Sequence, residues 1–268
     1  HRLALALAGL ARDKGAVLRF GAPVAEILVA GGRVGGVRLQ DGEEIAAGIV
    51  ISNADVNALA TGRLGAAAAR HAPPITHKAR SLSAVTWAVA AETSGLALQR
   101  HNVVFSRDYR AEFEAIFRQG RLPDEPTIYV CAQDRDDGDA ARAGLERLLI
   151  LVNAPATGDG APLPTAEIER CRDRTFARLA QCGLRLAPGP MLTTQPADWD
   201  RLFPGTGGAL YGRATHGAMA SFARPGSRSR LQGLYWAGGS VHPGPGVPMA
   251  ALSGMLAAQA VGLDHAST

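Results

Sequence analysis

The feature that most constrains this chain is a junction near its end, where an apolar strand meets a glycine pair, a loop and a helix. Leu234–Ala237 is a short apolar segment that stops at Gly238-Gly239, and a loop rich in proline and glycine follows. After Val247-Pro248, Met249–Val261 is predicted to be a helix that ends near Gly262. Proline suits the first helical position because its φ is preset and its missing N–H would have no internal partner.

This arrangement places a helix N-terminus just beyond the edge of a sheet. Free amides and the positive end of the helix dipole favour an anion or an electron-rich ring edge at that point. Gly238 and Gly239 carry no side chains, so a flat cofactor or a phosphate could approach the backbone closely. The junction therefore predicts a cofactor site, and the alternative is a tight loop that leads into an ordinary packed helix.

Other catalytic and binding motifs are incomplete or absent in this sequence. Gly205 and Gly207 begin a G-x-G-x-x-G pattern, but Leu210 stands where the third glycine should be. Ser240 lies as in a hydrolase nucleophile elbow, but His242 replaces the closing glycine. His242 itself either braces its loop by hydrogen bonding or faces a ligand. H-E-x-x-H and paired C-x-x-C motifs are absent from the sequence, so no metal site and no catalytic residue are predicted.

Charge and composition argue against a nucleic-acid partner. The net charge is only +4, from 28 basic and 24 acidic residues, and aromatic residues make up 5%. The basic residues are scattered except for Arg224, Arg228 and Arg230. Nucleic-acid binding requires a basic stripe interleaved with stacking aromatics, which this sequence lacks. A mildly basic balance is compatible with contact at an anionic membrane surface.

The three cysteines indicate a reduced, cytoplasmic chain, because an odd number without close pairs does not form a disulfide scaffold. Cys171 and Cys182 fall on one helical stripe with Ile168, Thr175 and Leu179, so both are predicted to be buried. No segment reaches the roughly 20 apolar residues of a transmembrane helix.

The first part of the chain alternates between helical and extended patterns. His1–Leu10 is predicted to be a helix capped at Gly15, and glycine turns at 31-32 and 41-42 separate the strands that follow. The predicted strands are Ala16–Phe20, Val24–Ala30, Val34–Gln40, Ile45–Ser52, Leu82–Ala91, Val103–Ser106, Ile128–Ala132 and Leu148–Val152. The predicted helices between the later strands are Tyr109–Arg118 and Thr165–Gln181.

A family resemblance rests on several of these segments. The sequence GLYWAGGSVHPGPGVPMAALSG at Gly233–Gly254 resembles the C-terminal flavin-contacting signature of phytoene-desaturase-type carotenoid desaturases. Phe222–Pro225 is similar to the family's Arg-Pro element, Gln195–Trp199 to its Pro-x-Asp-aromatic stretch, and Gly15–Asp55 to its second FAD segment. Within the family, Leu82–Trp87, Arg100–Phe105 and Pro126–Arg135 most resemble the hydroxycarotenoid 3,4-desaturases, also called methoxyneurosporene dehydrogenases.

The resemblance implies an α/β fold: a partial FAD-binding domain, Rossmann-like and of the amine-oxidase/glutathione-reductase type, with an inserted α+β substrate domain built on an antiparallel sheet. Its N-terminal βαβ segment, which binds the FAD pyrophosphate, is expected to be missing. Residues 1–65 and 204–268 then correspond to the FAD domain, and residues 66–203 to the substrate domain.

The resemblance also implies FAD as cofactor and a carotenoid as substrate. Val24 would meet the adenine end of FAD, and Gly238, Gly239, Val247, Pro248 and Met249 would lie along its ribityl and isoalloxazine portion. The Val, Leu, Ile and Trp87 face of the second sheet is expected to be either one wall of an apolar tunnel or plain core. The expected location is the cytoplasm, with peripheral contact at the inner face of the membrane.

Two other functions are compatible with the same residues. One is a carotenoid isomerase or a retinol-saturase-like flavoprotein, which shares the superfamily but not the chemistry. The other is a catalytically silent piece that lacks the FAD pyrophosphate site.

Overall fold

The computed structural model describes residues 2–73, 76–136, 144–214 and 224–266. The helices are α1 (Arg2–Asp13), α2 (Val56–Ala60), α3 (Ala66–Ala69), α4 (Tyr109–Glu114), α5 (Thr165–Gln181), α6 (Pro196–Leu202) and α7 (Val247–Ala266), with a 3-10 turn at His77–Ala79 and a π turn at Ala115–Gln119. The strands are β1 (Val24–Ala30), β2 (Arg33–Leu39), β3 (Glu44–Ala46), β4 (Val50–Ser52), β5 (Ser83–Gly95), β6 (His101–Val104), β7 (Ile128–Ala132), β8 (Glu146–Ala154), β9 (Leu184–Thr194) and β10 (Leu234–Trp236).

The middle of the chain forms a five-stranded antiparallel sheet in the order β6-β7-β8-β5-β9. One of its faces packs against α5. Trp87 on this face is fully buried and meets Phe176 of α5 edge-on, with ring centroids 6.3 Å apart. Of the two predictions for the face that contains Trp87, a tunnel wall or plain core, the structure therefore supports core. The larger core cluster combines this face with Ile168, Cys171 and Leu179 of α5.

The other face of this sheet is more open to solvent. Residues paired across antiparallel strands point to the same side of a sheet. The pairing places Cys131, Leu149, Ala88 and Leu192 in one row on this face, with His101 at its end. Leu192 is 67% exposed.

The two ends of the chain meet in a second core. β1, β2 and β3 form an antiparallel sheet, whereas β4 pairs in parallel with β10. Ile27, Val34, Leu59 and Trp236 are buried members of the cluster beneath them. β10 is buried, whereas β4 is partly exposed, with Ile51 at 48%. Parallel pairing between two segments that are distant along the chain is typical of an α/β fold.

The predicted strand Ile45–Ser52 is not continuous, because the chain divides it between two sheets, although its last part does form a strand. Its first part is β3, which pairs with β2, and its last part is β4, which pairs with β10. Gly48 lies at the crossing: a Cβ on Gly233 would lie 2.5 Å from the Gly48 carbonyl oxygen. Only a chain without a side chain at position 233 can approach so closely.

Other elements also differ from the predictions. Ala16–Phe20 has no regular structure, and Phe20 is 80% exposed, since no neighbouring strand covers it. Cys182 is exposed because α5 ends one residue earlier, although Cys171 is buried as predicted. α7 begins at Val247, so its proline occupies the second position, and the helix continues past Gly262 to Ala266. No sequence pattern predicted β9 or α6.

Candidate cofactor site

The candidate site lies where β4 and β10 end side by side. Ser52 pairs with Trp236, so the residues that follow both strands emerge at the same edge of the sheet. Asn53 Nδ2 donates a hydrogen bond to the Ala237 carbonyl oxygen over 3.1 Å, and the Ala237 amide donates to the Ser52 carbonyl oxygen. In open α/β sheets, ligands bind outside the carboxyl ends of the parallel strands.

Gly238 is buried and lies near the start of the loop that connects β10 to α7. Its φ is +119°, and a Cβ added there would lie 2.6 Å from Asn53 Nδ2. Its amide donates to Ser253 Oγ over 2.7 Å, and that hydroxyl donates to the Ala250 carbonyl oxygen. The Gly238 amide is thus used inside the protein and is not available to a ligand.

The N-terminus of α7 faces outward. Gly246, with φ +105°, precedes the helix, and its carbonyl oxygen accepts the first helical hydrogen bond from the Ala250 amide. Val247 and Met249 are 68% and 42% exposed, and Pro248 is exposed as well. The first helical turn contains no acidic residue. The positive end of this helix is therefore open to an electron-rich group.

A buried cation and a half-buried carboxylate lie behind the loop. Arg224 is 5% exposed, and its guanidinium donates to the Gly239 carbonyl oxygen over 3.2 Å. It also donates to the carbonyl oxygens of Tyr211 and Arg213. Burial lowers the pKa of Arg224, and the charge of Asp55 opposes that change.

Asp55 is the acidic partner on the other flank. It caps α2 by accepting a hydrogen bond from the Asn57 amide over 2.8 Å. Burial raises the pKa of its carboxyl. Hydrogen bonding by the Asn57 amide and the Ser240 side chain opposes that rise, as do the charges of Arg80 and Arg224.

A further ion pair fixes the adjoining loops. Arg80, which is 5% exposed, holds both carboxylate oxygens of Asp159 at 2.7 and 2.6 Å. It also contacts His77 Nδ1 at 2.9 Å. This guanidinium lowers the pKa of Asp159. A Cβ on Gly207 would lie 2.1 Å from Arg80 Nη1, so the glycine-rich loop packs directly on this pair.

The predicted site residues are partly brought together. Gly238, Gly239 and the first turn of α7 lie at the same junction. Val24 begins β1 in the three-stranded sheet and so lies on a different sheet from the glycine pair. His242 donates its backbone amide to the Pro225 carbonyl oxygen, and its side chain borders a 260 Å³ cavity against Leu256 and Leu263 of α7. Of the Phe222–Pro225 element, Phe222 and Ala223 lie outside the described residues.

Asp55, Arg80 and Arg224 were not predicted as site residues. Asp55 could have been found, because polar residues directly after a parallel strand lie at the ligand-binding edge. Arg224 had one signal, its place in the Arg-Pro element of the family resemblance. Its burial was not predictable, because its sequence neighbours Arg228 and Arg230 are exposed. Within the described part of the chain, no three His, Cys, Asp or Glu side chains are grouped as a metal site.

The open helix N-terminus and its glycine loop fit an electron-rich planar cofactor such as a flavin. An orphaned donor supports this fit: Arg224 Nε is buried and has no acceptor among the described residues. Gly239 is half-buried, with backbone that a ring could approach.

Comparison with known proteins gives the family. Residues 1–262 match the flavin-containing amine oxidoreductase family, and the chain belongs to that family. FAD, the predicted cofactor, agrees with this assignment.

Individual relatives are more specific. The chain is 54% identical to a hydroxyneurosporene desaturase of Rubrivivax gelatinosus, over 97% of this chain and 50% of that protein. It is 48% identical to a hydroxyneurosporene desaturase of Cereibacter sphaeroides, over 100% of this chain and 53% of that protein. The predicted resemblance to carotenoid desaturases is confirmed. The chain spans about half the length of these relatives.

A solved structure supports the fold. An oxidoreductase from Methanosarcina mazei matches with a TM-score of 0.54 at 19% identity, over 93% of this chain and 51% of that one. The fold is therefore an FAD-binding α/β fold with mixed sheets. The domain boundaries after residues 65 and 203 stay predictions.

Proposed function

We propose that this chain is part of an FAD-dependent oxidoreductase that desaturates a hydroxycarotenoid such as hydroxyneurosporene. The observation that carries the proposal is the identity of 54% and 48% to two hydroxyneurosporene desaturases over nearly the whole chain. In finer detail, β4 and β10 are part of a Rossmann-like FAD domain. The five-stranded antiparallel sheet is its inserted substrate domain.

The chain's own residues bind and orient the cofactor. The exposed first turn of α7, at Val247, Pro248 and Met249, would hold the electron-rich isoalloxazine of FAD. Gly239 has no side chain and would let the ring approach the loop, and Gly238 holds the loop through Ser253. Val24 is assigned to the adenine end. When bound, FAD supplies the acceptor for a hydride from an allylic carbon, while the neighbouring carbon loses a proton to water and a C=C bond forms.

The open face of the five-stranded sheet is the proposed wall for the polyene. Leu149 and Leu192 lie in one row there with Ala88 between them. An apolar wall binds a long hydrocarbon by removing its surface from water. The buried Trp87 face cannot serve, because α5 covers it.

The membrane is the proposed source of the substrate, with the protein on its cytoplasmic face. α7 is the one described helix that is long and apolar enough to cross a bilayer, and only 17% of its apolar window is buried. We did not predict such a segment from the sequence, because α7 contains many alanine and glycine residues, which are less hydrophobic than the leucines of a typical membrane span. α1 adds four exposed leucines, at positions 3, 5, 7 and 10. These surfaces support peripheral contact, and no nucleic-acid partner is proposed.

Product analysis tests the function. The protein is incubated with FAD and hydroxyneurosporene in phospholipid liposomes, and the carotenoids are separated and weighed by mass spectrometry. A desaturase yields a product that lacks two hydrogens and absorbs at longer wavelength. A product of unchanged mass and altered geometry would identify an isomerase, and no product in the presence of bound FAD would contradict the proposal.

A matched pair of variants ties the activity to the site. Val247→Glu places a carboxylate at the exposed N-terminus of α7. There it stabilises the helix by interacting with the positive end of the helix dipole, but it repels an electron-rich ring. Gln259→Glu places the same charge on the exposed middle of α7. The first is expected to lose flavin binding with the fold intact, and the second to keep it.

A further inference from the structure

Arg224 is a buried cation without a carboxylate partner at ion-pair distance among the described residues. Its three hydrogen bonds go to backbone carbonyl oxygens, those of Gly239, Tyr211 and Arg213. Tyr211 and Arg213 precede β10 along the chain, whereas Gly239 belongs to the loop that follows β10. A guanidinium suits this role because its planar donors are fixed in several directions at once.

Two glycines pack directly against the Arg224 side chain. A Cβ on Gly244 would lie 3.3 Å from Arg224 Nε, and a Cβ on Gly212 would lie 3.5 Å from its Nη1 and 3.0 Å from the Ser240 Cβ. Gly244 and Gly212 also have positive φ values, +132° and +64°. The guanidinium is thus enclosed between the loop that follows β10 and the turn around Gly212.

Asp55 contacts the same loop from the N-terminus of α2, because its carboxylate accepts a hydrogen bond from the Ser240 side chain. Ser240 is the residue after Gly239, whose carbonyl oxygen Arg224 holds. Arg80, the other buried cation near Asp55, is already bound to both oxygens of Asp159. The charges of Asp55 and Arg224 also favour one another at longer range. The two side chains hold consecutive residues of the loop, Ser240 and Gly239.

We propose that Arg224 is a positioning residue that holds residues 238–246 in the conformation that receives the cofactor. It does so by holding the Gly239 carbonyl oxygen, which fixes the backbone between Gly238 and the start of α7. That the loop receives a flavin rests on the proposed function, but that Arg224 orders the loop does not.

Hydrogen exchange followed by mass spectrometry tests the ordering. The amide exchange rate of residues 238–246 is compared in the native protein and in the Arg224→Met, Arg224→Lys and Arg228→Met variants. Arg228 lies close in sequence but is exposed and pairs with Asp264, which makes it the matched control. Arg224→Met is expected to raise exchange in the loop at least tenfold, with the amides of β5 and β8 unchanged. Arg224→Lys, which keeps the charge and three donors, is expected to restore most of the protection, and Arg228→Met to have no effect.

Loop exchange that stays at the native rate in Arg224→Met would overturn the proposal. A rise of equal size throughout the chain would also overturn it, since it would show general support of the fold.

FAD titration, followed by quenching of flavin fluorescence, separates this inference from the function. Tenfold weaker binding in Arg224→Met than in the native protein supports both. If the native protein binds no FAD while its loop loosens in Arg224→Met, the flavin assignment fails and the ordering role stands. Equal FAD affinity in the two proteins would overturn the role of Arg224 at the cofactor site.

Discussion

Asn53 Nδ2 donates a hydrogen bond to the Ala237 carbonyl oxygen at 3.1 Å, although 184 residues separate them along the chain. This bond joins the ends of β4 and β10 at the edge where the candidate site lies. The whole five-stranded antiparallel sheet lies between these two strands along the chain. The site therefore exists only when both ends of the chain fold together.

Gly238→Ala is expected to destabilise the protein by about 1–3 kcal/mol, because it forces a side chain into a positive φ. The new methyl would also lie 2.6 Å from Asn53 Nδ2 and disturb its bond to Ala237. Urea unfolding measures the change.

The control for this variant is Gly254→Ala in α7. A Cβ there meets nothing within 4 Å, so the substitution should be neutral or stabilise the protein by up to about 1 kcal/mol. Equal losses at the two glycines would contradict the account of the junction.

The two faces of the five-stranded sheet are expected to respond differently to truncation. Trp87→Ala should cost about 3–5 kcal/mol in unfolding free energy, because Trp87 is fully buried beneath α5. Leu192→Ala, at a residue 67% exposed, should change stability by less than about 0.5 kcal/mol. If the open face binds the polyene, Leu192→Ala should raise the KM for carotenoid without lowering the unfolding midpoint. An unchanged KM would remove this face from the substrate site.

Asp159→Asn is expected to destabilise the protein at pH 7 by about 3 kcal/mol, since it leaves the buried Arg80 guanidinium without its carboxylate. Arg80 lowers the pKa of Asp159 in the folded state. The stabilisation is therefore complete above the unfolded pKa of about 4 and is lost as the pH falls through the lower folded value. Urea unfolding of both proteins between pH 7 and pH 2.5 should show the difference shrink with acid. A difference that grows as the pH falls would contradict this assignment.

The cysteines should differ in reactivity. Burial raises the pKa of Cys171 to about 11, so its thiol stays protonated and enclosed at pH 8. Cys182 is exposed after the end of α5. Iodoacetamide at pH 8 should alkylate Cys182 in the native protein and Cys171 only after unfolding, as followed by peptide mass spectrometry. Rapid modification of Cys171 in the folded protein would contradict the packing of α5.

Local patterns predicted those elements whose residues carry their own signal. Val24–Ala30, Ile128–Ala132 and Thr165–Gln181 form as predicted. The first two are short apolar runs typical of strands, and the third has a continuous helical periodicity. β9 escaped prediction because Pro188 and Pro190 interrupt its pattern, although both are accommodated in a strand at the edge of the sheet.

The sequence predicted the backbone features of the candidate site but not the buried side chains around it. The glycine pair and the helix start are local features of consecutive residues, so the sequence indicates them directly. The burial of Arg224 and its approach to Gly239 and Asp55 depend on contacts across the whole chain. The Arg-Pro element of the family resemblance includes Arg224, but no pattern in the sequence shows that Arg224 is buried whereas Arg228 is exposed.

The most direct test of the cofactor site is a hydrogen-exchange footprint of the protein with and without saturating FAD. The account predicts slower exchange in residues 238–249, at the glycine loop and the first turn of α7, when FAD is present. FAD binding that leaves these amides unchanged and protects another part of the chain would contradict it.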